Sequence, residues 1–190
     1  MEVRAYITKT PGFTKFHDIM EEYLEEYPDK FVEGELKKYS ELDPSLESAI
    51  YSEFFYIKNE FPILLRYSFL VTCYSYFEHE LIQECDSKVS GIEEAMNYLI
   101  NDASIDFSID KSWNEILDIK KIRNCIVHSE GILDDCRFAK HIRNYISRRH
   151  DIFIENDRII LSADYCKYVI NVLDRILRIL KTLKFSRSLI

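Results

Sequence analysis

The run Arg123-Asn124-Cys125-Ile126-Val127-His128 places a guanidinium and an imidazole five positions apart in an otherwise apolar stretch. An imidazole can exchange a proton near neutral pH, and a guanidinium offers a planar fork of N–H donors to a phosphate. The spacing alone carries little weight, because 11 Arg and 5 His make such coincidences ordinary. Arg143 and His150 form a second match, Arg-x6-His. Context separates the two. Arg123 and His128 fall on a helical pattern that must pack against others, whereas Arg143 and His150 sit in a strongly basic segment with Arg148 and Arg149, where solvated charge is the ordinary expectation. Glu78, on a preceding helix, is placed to hold Arg123, and Asn124 to orient either a phosphate or His128. Arg137, Lys140, Arg143, Arg148 and Arg149 form either a solvated face or a track for a nucleic-acid backbone. The histidines do not cluster with cysteines in a zinc-type spacing, so no metal site and no cofactor is expected.

The elements that must position these residues follow from apolar periodicity. Phe16, Ile19, Met20, Tyr23 and Leu24 predict a helix over 14–27 that Pro28 breaks, with a short amphipathic piece over 29–39. Asp43-Pro44 resembles a cap followed by a first-turn proline, opening a helix to about Lys58. Residues 61–88 form the longest apolar helical stretch, with Pro62 expected in its first turn. A short helix over 93–100 and a polar loop over 101–110 come next. Ser112 with Glu115 makes a capping box for the helix that carries the Arg–His run, and Gly131 is its expected stop. A basic helix is predicted over 137–150. Two apolar runs flanking Glu155-Asn156-Asp157 predict a small β-hairpin, and Ser162 starts a last helix to about Phe185. The expected fold is an all-α antiparallel helical bundle with a small β-hairpin before the last helix, its core made by 61–88, 112–129, 162–185 and at least one helix of the N-terminal third. The expected organisation is an acidic helical region over 1–58, packed on or appended to a bundle over 59–190.

Composition agrees with long helices. The 190 residues include only 4 Gly and 4 Pro, too few turn residues for an all-β sandwich. The net charge of −8 argues against a general nucleic-acid binder, but it is unevenly spread. Residues 1–60 hold 7 basic and 14 acidic side chains, 61–110 hold 2 and 9, and 111–190 hold 16 and 10. The last 80 residues can therefore present a basic surface on an acidic protein. Five scattered cysteines, no C-x-x-C pair and no apolar leader in the first ten residues lead us to expect reduced thiols and a cytoplasmic protein, with no membrane span.

At the Arg–His run the chain resembles the HEPN superfamily, small helical bundles of which many are metal-independent ribonucleases in toxin–antitoxin, antiphage and CRISPR-linked systems. Their signature is Arg-x4–6-His, often with a polar residue after the Arg, as Asn124 is here. The segment Arg66 to Leu81, with its Phe77-Glu78 step, is similar to the long helix that precedes the motif in such families, and the hairpin before the last helix also fits. The resemblance covers roughly residues 60–185 and leaves the acidic N-terminal region without a counterpart.

Helix geometry adds a constraint. Five residues turn an α-helix about 140° beyond one full turn, so Arg123 and His128 diverge in mid-helix. They can face one phosphate if the helix ends near His128, or if a second copy supplies the complementary groups. The resemblance implies the second, since sites of this kind lie in a cleft between two domains. It also implies an endoribonuclease that leaves a 2′,3′-cyclic phosphate, acting on RNA as a homodimer, with an antitoxin or another defence-system protein as a possible partner. The alternative is a catalytically inactive HEPN-like helical dimer that serves as a scaffold or regulatory module. A nucleotide-accepting role is disfavoured, because the tyrosine found two places after the His in one such family is Glu130 here.

Overall fold

A computed structural model describes residues 10–40, 47–85, 89–101 and 112–187. Its helices are α1 (Thr10–Ser40), α2 (Glu47–Glu84), α3 (Ile92–Asn101), α4 (Ser112–Ser129), α5 (Ala139–Ile146) and α6 (Ala163–Arg187), with strands β1 (Ile152–Glu155) and β2 (Arg158–Leu161) between α5 and α6. The fold is an all-α bundle carrying one small antiparallel hairpin before the last helix. No described helix is long and apolar enough to cross a membrane.

Two prolines behave differently from expectation. Pro28 does not break the first helix; α1 continues to Ser40. A proline in a helix interior forfeits a backbone hydrogen bond and crowds the carbonyl four residues back. The packing on either side offsets that cost: His17, Met20, Leu24, Pro28 and Val32 are all buried and form one stripe along α1. Likewise, the expected helices 43–58 and 61–88 are one helix, and Pro62 lies inside it rather than in a first turn. Beyond Pro62, Tyr67, Leu70, Cys73, Tyr74, Phe77 and Leu81 are buried in the core. Before Pro62 the helix is mostly exposed and is tied down by the Lys58–Asp29 pair at 3.1 Å and the Glu60–Arg158 pair at 2.6 Å. The proposed Asp43-Pro44 cap, the 102–110 part of the polar loop and the Ser112 side-chain cap lie outside what is described.

The core joins all six described helices with the hairpin. Met20 and Leu24 of α1 belong to the same cluster as Phe77 of α2, Ile119 of α4 and Val169 of α6, and position 58 falls inside α2. Polar bonds fix α1 on the bundle. Arg66 on α2 grips Glu21 with two hydrogen bonds at 2.9 and 2.5 Å, and the buried His17 places Nε2 3.0 Å from the Ala163 carbonyl at the start of α6. The single tryptophan, Trp113, is buried at the start of α4.

The hairpin register pairs Ile152 with Leu161 and Glu155 with Arg158, and its two-residue turn puts Asn156 and Asp157 at φ of 47° and 64°. That is the primed-turn geometry that short hairpins favour. Ser162 then caps α6, its Oγ accepting the Tyr165 N–H at 3.2 Å. The basic helix is shorter than expected at both ends. It stops at Ile146, where the backbone tightens: the Arg148 and Arg149 N–H groups donate three residues back, to the Tyr145 and Ile146 carbonyls at 3.3 and 3.0 Å, and the Arg149 side chain then pairs with Asp151 at 2.6 Å.

Candidate functional site

Arg123 and His128 both lie on α4, which ends one residue after His128. Glu130 and Gly131 then take positive φ, 52° and 81°, and the Gly131 N–H donates to the Cys125 carbonyl at 3.2 Å. Gly131 is obligatory for a second reason. A Cβ there would lie 2.8 Å from Tyr67 Cζ. The Tyr67 hydroxyl donates to the Ile159 carbonyl, and the Ile159 N–H donates to the Gly131 carbonyl at 3.0 Å. The end of α4 is thus pinned to both α2 and the hairpin. Burial pushes the Tyr67 phenol up to about 12, against the opposing effect of Arg158, so it stays a donor at neutral pH.

Arg123 is half-buried. Its Nη1 donates to Asn124 Oδ1 at 3.0 Å, its guanidinium carbon lies 5.9 Å from the centre of the Tyr74 ring, and its buried Nε has no hydrogen-bond partner. Asn124 therefore binds Arg123 itself. Glu78 makes no ion pair within 4.0 Å of Arg123 among the described residues, so it does not hold Arg123 as expected. Both act at a distance on Tyr74, whose phenol is raised mainly by burial, with Glu78 adding to the rise and Arg123 opposing it. His128 is exposed in the last turn of α4, with no hydrogen-bond partner among the described residues. Five helical residues turn the chain about 140° beyond one full turn, and α4 ends one residue after His128, which meets the first of the two conditions under which both side chains can face one phosphate.

The other described half-buried arginines are committed to carboxylates. Arg66 holds Glu21, Arg149 holds Asp151 and Arg158 holds Glu60, each with an N–O distance of 2.5–2.6 Å. Arg123 is the exception among the described half-buried arginines. A guanidinium held only by an amide oxygen and a ring face keeps its charge available to an incoming anion.

The basic cluster divides. Arg143 is bound to both Asp134, at 2.9 Å, and Asp157. Arg149 makes two bonds to Asp151, at 2.8 and 2.6 Å, and lies 3.8 Å above the Tyr168 ring with Tyr145 and Tyr165 close by. These two are structural cations. Arg137, Lys140 and Arg148 are exposed, and the Arg148 side chain donates to Asn144 at 3.2 Å. Of the five residues expected to follow a polyanion, these three make no ion pair with a carboxylate among the described residues.

One grouping was missed by sequence reasoning. His141 on α5 meets Asp118 of α4 at 2.6 Å, and Lys121 lies 2.9 Å from His141 and 3.3 Å from Asp118. Asp118 and Lys121 are three apart on a helix, a visible signal; His141 is 23 residues from Asp118 and carries none. Lys121 and His128 share one row of α4, about 10 Å apart along its axis, too far to serve one phosphate. Among the described residues, no group of three or more His, Cys, Asp and Glu side chains is placed to hold a metal ion. No family model, no curated protein and no solved structure matches the chain.

Proposed function

We propose that this chain is a metal-independent RNA endonuclease of the HEPN type, a toxin or antiphage-defence effector whose active site is composed by two copies across a homodimer cleft. The observation that carries the reading is the uncommitted guanidinium of Arg123, five residues before an exposed His128 at the end of the same helix. Cleavage without a metal requires a base to take the 2′-hydroxyl proton, an acid to protonate the 5′-oxygen leaving group and cations to hold the extra phosphate charge. One copy offers one imidazole and one guanidinium; two copies offer two of each. In the composite site His128 carries out proton transfer, Arg123 steadies the phosphate and Asn124 holds Arg123. The exposed Arg137, Lys140 and Arg148 guide the RNA backbone. The setting is the cytoplasm, with an antitoxin or other defence protein restraining the activity.

A second reading is favoured by one observation: no described residue orients the His128 ring. It is an inactive HEPN-like dimer acting as a scaffold or regulatory module. Incubating total RNA and tRNA with the parent and with His128→Ala separates the two. A 2′,3′-cyclic phosphate end produced by the parent alone, and insensitive to EDTA, supports the nuclease. Equal cutting by His128→Ala or Arg123→Ala refutes the site, loss of cutting in EDTA refutes the metal-free route, and no cutting by the parent leaves the scaffold.

A further inference from the structure

Three exposed cations gather at α5. Lys140 lies on it, Arg137 just before it, and Arg148 is tied to it through Asn144 at 3.2 Å. From α4 a further cation, Lys121, reaches α5, but it is held in a group of three. His141 Nε2 lies 2.6 Å from Asp118 Oδ1 and 2.9 Å from Lys121 Nζ, and Lys121 Nζ lies 3.3 Å from the same Asp118 oxygen. One ring nitrogen therefore faces a carboxylate and an ammonium, and it cannot bond both. Without a proton, Nε2 accepts from Lys121 and turns its lone pair on Asp118. With a proton, it donates to Asp118 and sets its N–H against those of Lys121. The imidazole is exposed, so solvent protons reach it. Around the group stand Glu115 on α4, turned to Arg175 at 3.9 Å, and Arg137, Lys140, Arg143 and Tyr145 at or beside α5, with Glu155 on β1, the strand packed on α5. Among the described residues none of these forms an ion pair with Asp118, Lys121 or His141.

We propose that Asp118, Lys121 and His141 are a proton-controlled phosphate site for a single-stranded polynucleotide lying along α5. When His141 takes up a proton at Nε2 it closes on Asp118 and displaces Lys121. The Lys121 ammonium, a point charge on a flexible four-carbon stem, turns outward to the phosphate. Asp118, now matched by the imidazolium, no longer repels the incoming anion. The group passes from formally neutral to singly positive. When the proton leaves, Lys121 returns to the imidazole nitrogen and to Asp118, and the site closes. Proton and phosphate therefore bind with positive coupling, each raising the affinity for the other. This phosphate is not the one given to Arg123 and His128, since Lys121 stands about 10 Å from His128 along α4. The inference rests on the RNA-guiding role given above to the exposed cations at α5, and not on cleavage.

The full chain is titrated into a fluorescein-labelled oligothymidylate, and anisotropy is followed over a salt series at about pH 6 and about pH 8, on either side of the ordinary imidazole titration. At the lower pH, Lys121→Gln is expected to reduce the slope of log affinity against log salt by about 0.7, the loss of one phosphate contact. At the higher pH it is expected to change neither slope nor affinity. Lys121→Arg, which keeps the charge, is expected to keep the slope at the lower pH. In the His141→Gln background the effect of Lys121→Gln is expected to be the same at both pH values. Equal losses at both pH values in the parent background make Lys121 an ordinary surface cation and overturn the proposal. No loss at either makes the three groups a structural tie between α4 and α5 and overturns it too. A pH dependence that survives in His141→Gln, or a parent that does not bind the probe at the lower pH, also overturns it. The probe has no 2′-hydroxyl. A chain that binds it as described yet cuts no RNA therefore fails only the nuclease reading, and a chain that cuts RNA with Lys121 indifferent to pH fails only this one.

Discussion

Replacing Arg123 by Gln should cost almost no stability and most of the activity, and Arg66→Gln is the contrast that makes the result decisive. In the fold Arg123 makes one hydrogen bond to Asn124, worth about 1 kcal/mol, and a loose contact with the Tyr74 ring, worth about 0.5 kcal/mol. Against these stands a buried Nε without a partner, whose desolvation costs about 1 kcal/mol or more. The terms nearly cancel, so Arg123→Gln should shift unfolding free energy by less than about 1 kcal/mol. Arg66→Gln breaks a two-bond pair and strands Glu21, whose side chain is only 13% exposed. That should cost about 2–3 kcal/mol. If Arg123 holds the phosphate in the transition state, its loss should slow cleavage by about 10²–10³, the effect of removing one oriented donor from a developing anion. Urea unfolding of the parent and both variants followed by circular dichroism, with RNA cleavage measured on the same preparations, tests the whole chain of reasoning. If Arg123→Gln falls in stability as far as Arg66→Gln, Arg123 is a structural cation. If it is stable and still cleaves within about threefold of the parent, it does not touch the reacting phosphate.

Gly131→Ala should destabilise by about 2–4 kcal/mol in the same unfolding assay, since it adds a left-handed penalty to a collision with the Tyr67 ring; a loss below about 1 kcal/mol would show that the ring moves aside. The Asp157 carboxyl is held below its ordinary range, first by the Asp134 N–H at 2.9 Å and then by Arg143. A depressed folded-state value means that its contribution is present above about pH 3.9 and is lost as pH falls below that. Asp157→Asn should therefore remove part of the parent's acid-induced loss of stability between about pH 4 and 2, and identical acid profiles would refute this role. Joint replacement of Arg137, Lys140 and Arg148 by Gln should reduce the slope of log affinity for single-stranded RNA against log salt by about 0.7 for each phosphate no longer neutralised. Arg149→Gln should instead lower stability and leave that slope unchanged, and the opposite pattern would return the RNA track to the full cluster.

The legible parts of the fold were those set by local pattern. The hairpin was readable because Asn156 and Asp157 tolerate positive φ between two apolar runs, and α4 because its apolar period ends at Gly131. The prolines misled because their cost is local, whereas what offsets it is a stripe buried against other helices: His17, Met20 and Leu24 before Pro28, Val32 after it. At the candidate site, sequence located Arg123 and His128 but not their partners. Whether Arg123 met Glu78 or Asn124 depended on how α2 and α4 are placed, and Glu78 went unpaired with it for that reason. The sorting of the basic cluster into bound and free cations was hidden likewise, since Asp134, Asp151 and Asp157 come from turns whose directions only the folded chain fixes. The pair Asp118–His141 has no spacing signature at all.

Trp113 gives the molecule a built-in optical reporter. It is the only tryptophan, buried to 2% exposure at the first turn of α4, about 22 Å of helix from His128. Its emission therefore reads the packing of α4 into the bundle at the end away from the Arg–His run. Loss of the core should shift that emission to the red, while a ligand that only touches His128 should leave it almost silent. A fluorescence change on adding RNA would then mean that the helix moves as a rod, carrying an event at one end into the core at the other.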